Sequence, residues 1–132
     1  GERIVPGRAY LAPGDRPLTV AGDRHAPRVA LSSAPPENFC RPAVDPMLRS
    51  AAAVLGGRVL AVILTGMGHD GLAGSRAVVE AGGAVIAQDE ASAVVWGMPG
   101  AVVQAGLAAA VAPIEEVAPQ ILAFTRAGGA PA

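Results

Sequence analysis

The sequence predicts an α/β domain: a parallel, Rossmann-like sheet with helices on both faces, joined to a β-hairpin. Three observations carry that reading. Residues 58–65 (RVLAVILT) and 84–88 (AVIAQ) are apolar without alternation, the pattern of strands buried on both faces. The segments around them repeat at helical spacing, so the order runs helix, strand, helix, strand, which favours parallel pairing. Residues 1–46 hold eight of the twelve prolines and several short alternating runs, the marks of a hairpin region.

Taken in order, RAYLAP (8–13), PLTVAG (17–22) and RVALSS (28–33) read as strands, with PGD and AGD as turns between them. MLRSAAAVLGG (47–57) reads as a helix closed by glycines, followed by the strand 58–65. GLAGSRAVVEAGG (71–83) is a second helix, and AVIAQ a second strand. MPGAVVQAG (98–106) and PIEEVAPQILAFTRAGG (113–129) supply two more helices. The last opens at Pro113 with Glu115 and Glu116 in its first turn, where the helix dipole favours acids. The tail GGAPA is expected to fray. The organisation is thus a hairpin region, 1–46, followed by helix–strand units over 47–126.

Composition narrows the functional classes. With 132 residues a single core is expected, and with 52% hydrophobic but 3% aromatic residues it must be built from Ala, Val, Leu and Ile. Ten arginines face eleven acids for a net charge of -1, which leaves no electrostatic footprint for nucleic acid or an anionic membrane. Cys40 has no cysteine to pair with and reads as a half-buried thiol. No apolar stretch approaches the roughly 20 residues that span a bilayer, and GERIVPGR lacks the charged and apolar regions of a signal peptide. No membrane insertion and a cytoplasmic location are expected. The chain opens on Gly1, not Met, which hints that the natural protein starts further upstream.

The chemistry concentrates in LAVILTGMGHDG (60–71), an apolar run that stops at a glycine-rich turn. Gly66-x-Gly68-x-x-Gly71 has the spacing of a dinucleotide fingerprint, and Asp89 lies 18 residues beyond Gly71, near where a ribose ligand is expected. Against that reading, Asp70 sits where the helix opens, and a carboxylate there competes with a phosphate for the same N–H groups. The fingerprint also normally opens its domain, whereas here a hairpin and a helix come first. Dinucleotide binding, a catalytic or orienting Asp70, and a plain helix cap all stay open on these grounds.

Neighbouring residues have plainer readings. His69, Asp70, Asp89 and Glu90 are conceivable metal ligands but lack a ligand spacing, so no metal is expected. His25 and His69 read as turn residues, Asp45 as the cap of the helix after it, and Asp89 and Glu90 as a solvated rim. Trp96 and Met98 either border a groove or pack their loop on the sheet. None of the serines, 32, 33, 50, 75 and 92, lies in a nucleophile elbow.

RAYLAPGDRPLTV, RPAVDPMLRSAA, VILTGMGHDGLAGSRAVVEAGG, AQDEASAVVWGMPGAVV and PIEEVAPQI together resemble the catalytic domain of the chemotaxis protein-glutamate methylesterase (CheB-type) family, over its C-terminal part. The similarity runs from about residue 6 to 122. LTGMGHDG followed by AQDEAS and GMP is specific, since a nucleotide site gives those elements no reason to occur together.

The resemblance implies an α/β hydrolase of glutamate γ-methyl esters, sometimes a glutamine deamidase, acting on methylated chemoreceptor cytoplasmic domains through a Ser-His-Asp triad without a cofactor. By motif position Asp70 matches the triad aspartate, and Met67 the residue whose backbone N–H stabilises the oxyanion. The family's nucleophilic serine and its histidine precede the segment where this chain starts. The resemblance therefore implies a fragment: a sheet incomplete on its N-terminal side, inactive alone, with any receiver domain or histidine kinase contact carried by an upstream part. A non-catalytic interaction module is the remaining alternative. Asp70→Asn is expected to keep the fold, because the side chains are nearly isosteric.

Overall fold

The computed structural model describes residues 1–38 and 40–126. In chain order the elements are β1 (Leu18–Asp23), β2 (Ala26–Leu31), α1 (Val44–Leu55), β3 (Leu60–Ile63), α2 (Leu72–Glu80), β4 (Ala84–Gln88), α3 (Met98–Gln104), β5 (Ala110–Ala112) and α4 (Ile114–Arg126). β1 and β2 form an antiparallel hairpin; β3, β4 and β5 form a parallel sheet in that spatial order.

The hairpin closes at Asp23 opposite Ala26, with Arg24 and His25 as its turn. Asp23 Oδ1 accepts the backbone N–H groups of His25 (2.8 Å) and Ala26 (3.1 Å), as turn-forming aspartates do. The same two bonds hold its carboxyl below the usual range. The hairpin lies on α1, where Val20 N donates to Ser50 Oγ and that hydroxyl donates to Met47 O.

RAYLAP is not a strand. Confined between Pro6-Gly7 and Pro13, it has no ladder partner among the described residues, and Tyr10 ties the segment down instead. Its hydroxyl donates to Arg3 O (2.8 Å) and accepts from Val5 N (3.0 Å). The sheet also carries a third strand, β5, that the sequence does not announce. Ala110–Ala112 lie in an alanine-rich run without period, and only pairing with β4, Ile86 against Ala110, makes three residues a strand.

β4 is the central strand, and Val85, Ile86, Ala87 and Gln88 are all buried. Val85 joins Ala61 and Ile63 of β3, Leu48 and Ala52 of α1, Val78 of α2 and Val102 of α3 in one core cluster. It is entirely aliphatic, as the composition requires. Alternation turns Ile86 to the opposite face, and α4 also packs on β4 and β5. α1 lies against α2, and Gly74 is what allows that distance, because a Cβ there would stand 2.6 Å from Leu48 Cβ. The tail GGAPA lies outside the described residues. Among the described residues, no helix is long and apolar enough to cross a membrane.

Candidate active site

The turn after β3 and the turn after β4 meet at the carboxyl ends of the strands, where parallel sheets gather their chemistry. Gln88, a polar residue closing an otherwise apolar strand, links them. Its Oε1 accepts Thr65 N (2.8 Å), its backbone O accepts Trp96 Nε1 (2.8 Å), and its Nε2 donates to Ser92 Oγ (3.1 Å). The loop before α3 is stitched to the glycine turn at several points. Thr65 Oγ1 donates to Val95 O and accepts from Val95 N, Gly66 N donates to Val95 O, and Gly66 O accepts the N–H groups of Gly97 and Met98.

These bonds decide the alternatives for Trp96 and Met98. Trp96 is tied to Gln88 and lies where any Cβ on Gly100 would be 2.8 Å from its ring, and Met98 lies against Gly66, so both pack the loop onto the sheet. Met67 is different: the residue is 81% exposed, and its N–H finds no acceptor among the described residues.

Asp70 is 4% exposed, and its carboxylate points away from α2. Oδ2 accepts Val44 N (2.7 Å), while Oδ1 accepts Asp45 N (3.1 Å) and Asn38 Nδ2 (3.1 Å). Asp70 therefore caps α1, not the helix it immediately precedes. That explains why α1 begins at Val44, earlier than the predicted residue 47, since its first two N–H groups are satisfied from outside. A carboxylate offers about four lone-pair positions, of which three are taken here. Among the described residues, the one without a donor is on Oδ2.

Asp45 is a correction to the sequence reading. It does not cap its own helix: Oδ1 accepts Gly71 N (3.0 Å) and Gly74 N (2.7 Å), so it caps α2. This also removes the physical basis for the dinucleotide reading. The N–H groups that a pyrophosphate would need at the start of that helix already hold a carboxylate.

The remaining candidates are not gathered. His69 and His25 are exposed, and among the described residues neither ring is hydrogen-bonded to a serine or a carboxylate. Asp89 accepts Ser92 N and Ser92 Oγ, Glu90 is exposed, and no group of three or more His, Cys, Asp or Glu among the described residues is arranged to hold a metal. Ser75 is fully buried in α2, Ser50 is bonded to the hairpin, and Ser92 is held by Asp89 and Gln88. Cys40 is half-buried.

Sequence reasoning missed Asn38. At φ +54° it adopts the left-handed conformation that Asn tolerates, and its Nδ2 donates to both Asp45 Oδ2 (2.7 Å) and Asp70 Oδ1 (3.1 Å). The only signal was an Asn among prolines. Arg49 of α1 stands nearby in a two-pronged pair with Glu37, Nη1–Oε1 2.6 Å and Nη2–Oε2 2.7 Å. Those bonds, with smaller pulls from Asp45 and Asp70, raise the guanidinium above its ordinary value.

Residues 1–121 match the family model described as CheB methylesterase. A protein-glutamate methylesterase/protein-glutamine glutaminase of Azospirillum brasilense is 61% identical over 125 residues, covering 94% of this chain and 32% of that protein. A protein of the same description from a group 2 operon of Rhodospirillum centenum is 61% identical over 121 residues, 92% of this chain and 31% of its own length. The chain thus spans about a third of the curated relatives it matches. The crystal structure of the Thermotoga maritima CheB methylesterase catalytic domain superposes with a TM-score of 0.87 at 40% identity, covering 91% of this chain and 64% of that one. On the match over residues 1–121, the shared architecture and identities of this size, the chain belongs to the CheB methylesterase family.

Proposed function

We propose that this chain is the C-terminal part of a protein-glutamate methylesterase that also deamidates glutamine, acting in the cytoplasm on methylated chemoreceptors. In this reading a serine from an upstream segment attacks the γ-carbonyl carbon of a methylated receptor glutamate. A histidine, also from upstream, takes the serine proton and returns it to the leaving methanol; with glutamine the leaving group is ammonia. Water then hydrolyses the acyl-enzyme to a glutamate carboxylate. A receiver domain and a histidine kinase would act through the same upstream part.

Asp70 is assigned the carboxylate that orients the histidine and stabilises its charged form. The observation that carries this is its hydrogen-bonding state: a buried carboxylate held by three donors among the described residues, which leave one acceptor position on Oδ2. Met67 is assigned an oxyanion donor, supported by a backbone N–H without an acceptor among the described residues, in a turn braced by the Val95–Met98 loop.

The test is methanol release from methylated receptor by the longer protein that includes the upstream segment. Asp70→Asn is expected to lower turnover, per folded enzyme, by up to about 10⁴. Turnover within about threefold of wild type, roughly 0.7 kcal/mol, would remove Asp70 from the mechanism.

A further inference from the structure

Two buried carboxylates face each other across one amide nitrogen. Asp45 Oδ2 and Asp70 Oδ1 lie 2.7 and 3.1 Å from Asn38 Nδ2. The other donors to this pair among the described residues, the N–H groups of Val44, Asp45, Gly71 and Gly74, belong to the backbone of helix starts. Asn38 is the one side chain among the described residues that donates to both anions.

We propose that Asn38 is a positioning residue, whose amide holds the plane of the Asp70 carboxylate so that its free Oδ2 position meets the histidine. The inference rests on the role assigned to Asp70 above. The physics is that of a shared donor. Two like charges at this separation repel, and in a buried setting the repulsion is weakly screened. A donor between them offsets it and pins Oδ1, leaving Oδ2 as the open side. Without Asn38, Asp70 keeps one backbone bond on each oxygen and can rock about its Cβ–Cγ bond toward or away from Asp45.

The competing account makes Asn38 a turn residue, chosen only for its left-handed backbone at φ +54°. That account predicts that glycine, which takes this conformation more easily, replaces it without consequence. The two accounts part on Asn38→Gly in the full-length methylesterase, assayed by methanol release from methylated receptor.

The expected result is a fall in kcat of about 10-fold or more, the scale of one hydrogen bond to a charged group, with KM within about twofold. Asn38→Asp keeps the shape and the turn preference but turns the donor into a third carboxylate, so it should lose more than Asn38→Gly. It also serves if the glycine variant does not fold. In an Asp70→Asn background, Asn38→Gly should lower kcat no further, because the residue acts through Asp70. If kcat in both Asn38 variants stays within about threefold of wild type while Asp70→Asn is inactive, the inference is overturned and the reading of Asp70 stands. Equal fold-losses in the wild-type and Asp70→Asn backgrounds also overturn it, since a purely structural residue multiplies through. A silent Asp70→Asn overturns the reading of Asp70 itself, and the inference with it.

Discussion

The carboxylates of Asp45 and Asp70 cross over, each capping the helix that the other's segment opens. Asp45, the second residue of α1, holds Gly71 N and Gly74 N at the start of α2; Asp70, just before α2, holds Val44 N and Asp45 N at the start of α1. Both anions lie at the positive end of a helix dipole, which offsets part of the cost of burying them. The exchange locks two helix starts together, with Asp70 buried against the start of α1 and Asp45 against the start of α2.

Asp70→Asn is therefore expected to cost stability as well as turnover. The amide oxygen can replace Oδ1, but the NH₂ then faces the Val44 N–H, donor against donor. One buried hydrogen bond is lost, at roughly 1–3 kcal/mol. Thermal or denaturant unfolding of this chain measures it; a variant as stable as wild type would show that Val44 N finds another acceptor. The near-isosteric shape should still keep the fold; the cost comes from where the protons are.

Coupling between the two caps is the next expectation. Asp45→Ala strips α2 and Asp70→Ala strips α1, each by roughly 1–2 kcal/mol on the scale of lost helix caps. Because the two starts brace one another, the double variant should cost less than the sum by at least about 0.5 kcal/mol. Denaturant titration of the four proteins gives the coupling, and strict additivity would mean that the helix starts are independent.

Glycines in the rim turn differ in tolerance. A Cβ on Gly97 would stand 2.8 Å from Gly68 O and 2.9 Å from Gly66 O, both backbone atoms that cannot swing aside. On Gly66 its nearest neighbours would be side-chain atoms of Met98, Sδ first, which can swing aside. Gly97→Ala should thus cost about 1–3 kcal/mol, as overpacking does, and Gly66→Ala less. In the full-length enzyme Gly97→Ala should also lower kcat, because it pushes on the turn that carries the Met67 N–H. The order of the two melting temperatures checks the first part.

The Glu37–Arg49 pair predicts a pH dependence. Hydrogen bonds from Arg49 hold the Glu37 carboxyl below its ordinary value. A depressed carboxylate stabilises the fold above its unfolded pKa, and that stability is lost as pH falls through the folded value. Both side chains are more than a third exposed, so the effect is about 0.2–1 kcal/mol. Arg49→Met should be less stable than wild type near pH 7, with the difference shrinking as acid protonates Glu37 and as salt is added. A difference that persists unchanged in acid would assign the loss to packing of the arginine stem.

The sequence by itself determined the fold class and the position of the polar turns on the rim of the sheet. Apolar runs at 60–63 and 84–87 without alternation fit buried strands, helical periods between them favour parallel pairing, and a glycine turn after such a strand lies at the carboxyl ends of the sheet. These are local patterns, legible because period and burial are coupled along one element. Tertiary structure alone decided what each polar residue holds. Asp45 read as the cap of its own helix and Asp70 stayed open between a cap and an orienting carboxylate, but backbone N–H groups 25 to 29 residues away claimed both. Asn38 was silent because its importance lies in two oxygens brought to one nitrogen by the packing of α1 on α2. β5 was silent because three small residues become a strand only beside β4. A hydrogen bond is set by distance in space, and one-dimensional spacing reports it only when both partners share an element.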